Sequence, residues 1–105
     1  MSKTNADKQW LDDVSSLGCV ACRNAGLGSS LAEIHHVRSG VGMAQRAAHT
    51  RVLPLCSRHH RACYPSGFHA APKSWQAEHG SEEILLAQVA REVAELRKNT
   101  IGRAA

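Results

Sequence analysis

Apolar residues recur at helical spacing near both ends of the chain and gather into short extended runs between them. Trp10, Val14 and Leu17 fall on one stripe with Leu11 beside it, which predicts a helix over residues 5–17 ended by Gly18. Leu85, Val89, Val93 and Leu96 form a second stripe. Ser81 is placed to cap that helix, Glu82 and Glu83 suit its positive end, and Arg97 and Lys98 suit its negative end. Between the two stripes the pattern breaks up. Asn24, Gly26, Gly28, Ser29 and Ser30 mark a turn-rich stretch. Ile34 to Arg38 reads as a short strand, followed by a bend at Ser39-Gly40-Val41-Gly42. A second extended piece is predicted from about Arg51 to Leu55, and Pro54 makes it an edge or irregular strand. Ser57 is placed to cap a short helix through about Ala62, which the Tyr64-Pro65-Ser66-Gly67 turn ends. Pro72 opens a further short helix that carries Trp75 and stops at Gly80. There is no internal repeat or low-complexity segment, so residues 1–105 are expected to form a single α+β domain. Its end helices (5–17, and a helical region over 72–98) act as scaffold, and the chemistry lies between them, over 18–70.

Composition adds a constraint. The chain has 105 residues, of which only Trp10, Tyr64, Phe68 and Trp75 are aromatic, so a small core would gain from a metal or disulfide staple. No apolar run approaches membrane-spanning length, and Met1 to Gln9 does not read as a secretory signal. A reducing, cytoplasmic setting is therefore expected, where the four cysteines serve as metal ligands or free thiols. A disulfide-rich secreted protein would lack its signal and leave the histidines unexplained. The net charge of +4 is unevenly placed. From Ile34 to Ala77 there is no Asp or Glu, but Arg38, Arg46, Arg51, Arg58, Arg61, Lys73 and six of the seven histidines fall there. Such a basic region between nearly neutral flanks attracts a polyanion such as nucleic acid.

The same region holds metal-ligand spacing. Cys19-Val-Ala-Cys22 is matched 34 residues after Cys22 by Cys56-Ser-Arg-His59. Two tight turns of this kind offer the four sulfur and nitrogen ligands that a closed tetrahedral Zn²⁺ site takes. The alternative is a set of buried thiols acting as small apolar residues, and the second half at Cys56 and His59 favours zinc. Cys63 is left over and reads as a buried apolar thiol.

Adjacent helical residues are about 100° apart. If His59 completes the zinc site, His60 turns elsewhere, towards the doublet His35-His36, with His69 as a third candidate. Cleaving a phosphodiester needs a base for water and a cation for the charge that develops on phosphate. Where no carboxylate is near in sequence, neutral imidazole is the available base, and imidazole ligands favour transition metals over magnesium.

Ile34-His-His-Val37 followed by Leu53-Pro-Leu-Cys-Ser-Arg-His-His60 resembles the ββα-metal (HNH, treble-clef-like) nuclease motif with its zinc knuckle. Trp10 with Leu17-Gly-Cys-x-x-Cys22, Pro54-Leu-Cys-x-x-His-His-Arg61, Gly67-Phe-His69 and Gly80-Ser-Glu-x-x-Leu85 is similar to the phage Ref family of recombination-enhancement, RecA-dependent nucleases. The resemblance spans roughly residues 10–90. It implies a metal-dependent HNH endonuclease acting on DNA, with RecA-coated DNA as a partner and a divalent cation (Mg²⁺, Mn²⁺, Ni²⁺ or Zn²⁺) beside the structural zinc. By that pattern His36 is the general base, and His35, His60 and His69 hold the catalytic cation. Two departures stand out: His69 must reach the cation from a loop, and the middle Asn of many HNH motifs has no clear counterpart, His49 being nearest but reading as an ordinary loop histidine. Arg61 is the residue chosen to steady the scissile phosphate, and Arg38, Arg46, Arg51 and Arg58 are candidates for other phosphates. The competing expectation is a zinc-stabilised, non-catalytic module that binds DNA or a protein.

Overall fold

The computed structural model describes residues 3–38 and 49–104. The elements run α1 (Asn5–Ser16), α2 (Val20–Asn24), β1 (Glu33–His36), β2 (Val52–Leu55), α3 (Ser57–His60), α4 (Pro72–His79) and α5 (Glu82–Ala104). This is a small α+β arrangement of helices around a two-stranded antiparallel sheet. The bend expected at Ser39-Gly40-Val41-Gly42 and the candidate Arg46 lie outside the described residues. Among the described residues no helix is long and apolar enough to cross a membrane.

Local chemistry sets each boundary. Thr4 and Asp7 form a reciprocal capping box at the start of α1, each side chain accepting from the other's backbone N–H at 3.0 Å. Gly18, at φ +80°, then turns the chain where a side chain would be strained. Cys19 Sγ accepts from the Cys22 N–H at 3.4 Å and so caps α2, a short helix that the hydrophobic pattern does not reveal. β1 and β2 pair with Glu33 opposite Leu55, Ile34 opposite Pro54, His35 opposite Leu53 and His36 opposite Val52. Pro54 is tolerated because, among the described residues, β2 pairs with β1 alone and there is no second ladder for it to interrupt.

All four β2 residues are buried, and β2 is the spine on which α1, α2 and α5 pack. Val14, Val20, Val37, Leu85, Val89 and Val93 close the core around it. Full burial of each such side chain contributes roughly 1.5–3 kcal/mol before chain entropy is set against it. Polar ties fix α5 to the N-terminal helices. Arg23 grips Glu92 with two nitrogens at 2.6 and 3.0 Å, and the Asn24 and Gln88 amides exchange bonds at 2.9 and 2.8 Å. Arg97 bonds Asp13 at 2.8 Å and lies 5.3 Å from the Trp10 ring centre.

Three expectations need correction. Ser57 does not cap α3: it is the first helical residue, Cys56 holds the capping position, and no side chain bonds there. α3 also stops at His60 and not near Ala62, because Arg61 turns extended and the following loop takes the carbonyls of His59 and His60. Cys63 is exposed, not buried, since it lies in the turn beyond that early stop.

Candidate metal centres

Cys19 and Cys22 come from the capped turn into α2, and Cys56 and His59 from the end of β2 and the first turn of α3. Their ligand atoms form one cluster. Cys22 Sγ lies 3.8 Å from Cys56 Sγ, and His59 Nδ1 lies 3.6, 3.4 and 3.2 Å from the sulfurs of Cys19, Cys22 and Cys56. Donors on a tetrahedral zinc stand about 3.5–3.8 Å apart, from ion–sulfur and ion–nitrogen bonds of about 2.3 and 2.0 Å. These four separations come close to that spacing, and the cluster could hold a metal ion such as zinc. Burial pushes the Cys19 thiol up to about 11, a cost that a bound cation offsets by favouring the thiolate. Ser30 Oγ–H donates to Cys22 Sγ at 3.3 Å.

The second cluster takes in the last residue of α3, His60. His35, His60 and His69 each offer one ring nitrogen within 4.8 Å of the other two. His35 is buried on β1, His60 is half-buried at the end of α3, and His69 is exposed, so the cluster opens to solvent on one side. The loop that brings His69 back is pinned to α3: the Phe68 N–H donates to the His59 carbonyl at 2.8 Å and the His69 N–H to the His60 carbonyl at 3.2 Å. Gly67 makes that return possible, since a Cβ there would collide with the Arg61 carbonyl oxygen. Three imidazoles from three segments are a partial ligand set, which leaves positions for water or substrate on a bound cation.

Two carboxylates outside the predicted ligand set complete the surroundings. Glu82 Oε2 lies 2.8 Å from His35 Nε2, and Glu33 Oε1 lies 2.9 Å from His60 Nδ1. The stretch from Ile34 to Ala77 is free of acids in sequence, but the fold brings one in from each flank. Glu33 had a visible signal: it precedes His35 by two residues on one strand, and such residues share a face. Glu82 is 47 residues from His35, and its signals in sequence, the Gly80-Ser-Glu-x-x-Leu85 resemblance and its place at a helix start, do not point to a histidine partner.

His36 points away from the cluster by the same alternation and is exposed. Partial burial and the neighbouring charges of His49, Lys3 and Arg38 hold its pKa below the usual 6.5, so the ring is neutral and able to take a proton at neutral pH. Burial, with His60 and His69 facing it, pushes His35 down to about 3. Arg61 lies on Glu33, donating from Nε at 3.2 Å and from its terminal nitrogen, and Arg51 donates to Glu83 at 2.6 Å. Arg38 and Arg58 are exposed. His49 sits in the turn before β2, with Nδ1 buried and without a hydrogen-bond partner among the described residues.

A family model described as recombination enhancement, RecA-dependent nuclease, matches residues 3–93. No curated protein matches the sequence.

Proposed function

Because the chain belongs to the recombination enhancement, RecA-dependent nuclease family, we propose that it is a single-domain, metal-dependent HNH endonuclease that hydrolyses DNA phosphodiester bonds. The observation that carries this reading is the convergence of His35, His60 and His69, in a β1–β2–α3 frame, beside a separate Cys₃His cluster. In this reading Cys19, Cys22, Cys56 and His59 hold a structural Zn²⁺, and the β1–β2–α3 unit is the ββα-metal core. His35, His60 and His69 hold a divalent cation, which supplies charge neutralisation at the phosphate and leaving oxygen.

His36 takes the proton from the attacking water. Its strand position turns it off the histidine cluster, and its lowered pKa keeps it neutral and so competent as a base. Arg61 steadies the scissile phosphate, for which it exchanges its contact with Glu33 for one with DNA. Arg38, Arg46, Arg51 and Arg58 add sequence-independent phosphate contacts, Arg51 by leaving Glu83. The substrate class is DNA in a RecA-coated filament, which the family's description supports.

The test is cleavage by zinc-loaded wild type and by His36→Ala, with Mg²⁺, Mn²⁺, Ni²⁺ or Zn²⁺ added in turn, on DNA with and without a RecA filament. Wild type should cut, and His36→Ala should lose about 10²–10⁴-fold in rate while keeping its zinc and fold. Absence of cleavage under every condition, with DNA binding intact, would favour a non-catalytic zinc module.

A further inference from the structure

His35 and His60 each meet a carboxylate through one ring nitrogen, and they do so in opposite senses. His35 is 2% exposed, and its Nε2 faces Glu82 at the start of α5. Its Nδ1 is buried and has no hydrogen-bond partner among the described residues. His60 meets Glu33 through Nδ1, which leaves Nε2 for the cluster.

Neither carboxylate is loosely placed. The Glu82 backbone N–H donates to Gln76 Oε1 at 3.1 Å, which ties the first residue of α5 to α4. Glu33 receives both the Nε and a terminal nitrogen of Arg61. A carboxylate on one imidazole nitrogen keeps the proton there and puts the lone pair on the other nitrogen. An unpartnered buried nitrogen such as His35 Nδ1 is costly to fold unless something binds it.

We propose that Glu82 and Glu33 are positioning residues that make His35 bind the divalent cation through Nδ1 and His60 through Nε2. This rests on the reading of His35, His60 and His69 as the cation's holders. It gives α5, otherwise scaffold, a part in the site, because its first residue orients the most buried ligand. Glu82 matters more than Glu33: its side chain is 9% exposed, against 30% for Glu33, so water can replace it less readily.

The probe is Zn²⁺, added to protein that already carries one zinc in the Cys₃His cluster. Calorimetry gives the affinity for the second ion, and long-range ¹H–¹⁵N spectra of the imidazoles report which nitrogen is ligated. The wild type should bind a second Zn²⁺ through His35 Nδ1 and His60 Nε2. Glu82→Ala should weaken the second ion about 10–100-fold. Glu82→Gln, which keeps an oxygen acceptor for Nε2–H, should recover part of that loss, and both variants should retain the first zinc. Ligation of His35 through Nε2, or unchanged affinity in a folded Glu82→Ala, overturns the proposal and leaves the histidine site standing. A wild type that takes no second Zn²⁺ overturns both. The nitrogen assignment in the wild type decides the question even if Glu82→Ala fails to fold.

Discussion

His35 shows how one side chain joins strand geometry to chemistry. Its place on β1 buries it, and burial with two facing imidazoles lowers its pKa from 6.5 to about 3. In the unfolded chain the ring takes a proton as pH falls below about 6.5, whereas in the fold it stays neutral until about 3. The stabilisation is therefore full above 6.5 and is lost as pH falls through that window. His36 and His59 are lowered as well, burial being the main cause in both, so a variant comparison is needed to isolate His35. Urea unfolding of wild type and His35→Asn, each carrying one zinc per chain, at about pH 7.5 and about pH 5, should show the wild type losing more stability. Parallel losses would show that His35 does not carry the effect. At this scale the histidines of the second cluster were legible as two doublets and a loop residue, because a run of ligand types is visible in sequence. Their carboxylate partners are not legible as such: Glu33 lies just outside the basic stretch, and Glu82 stands out only as a helix-end charge and as part of the Gly80-Ser-Glu-x-x-Leu85 resemblance.

The two end helices were the most legible elements, since each carries several turns of apolar periodicity and a side-chain cap. α5 illustrates this. Ser81 Oγ accepts from the Ile84 N–H at 3.2 Å, and Leu85, Val89 and Val93 are buried beneath it. Ser81→Ala should cost about 1 kcal/mol in thermal or urea unfolding, and Ser81→Asp should restore most of it. A loss within error for Ser81→Ala would mean that packing alone fixes the helix start. The short elements were harder to read. α2 is made by a cysteine cap, not by apolar spacing, and α3 ends early because a returning loop competes for its last carbonyls. The first is a local side-chain cap and the second a contact from a returning loop, and over four or five residues either outweighs apolar spacing and intrinsic propensity.

Across the molecule, β2 and α3 join the scaffold to two adjacent clusters. His59 and His60 are consecutive, yet one belongs to the Cys₃His cluster and the other to the three-histidine cluster. That division follows from helix geometry and could be anticipated from the doublet alone. The closeness of Arg61 and Arg51 to Glu33 and Glu83 could not, because it depends on how α5 and β1 meet the basic stretch. Under the proposed function the first cluster holds the fold together and the second supports cleavage. The most direct test strips all metal from the protein and returns Zn²⁺ stepwise, with circular dichroism and DNA cleavage followed on the same samples. The first equivalent should restore the fold with little cleavage, and cleavage should rise with the second. Full cleavage at one equivalent, or a fully folded protein that never cleaves at two or more, with Mn²⁺ and Ni²⁺ also tried, would contradict it.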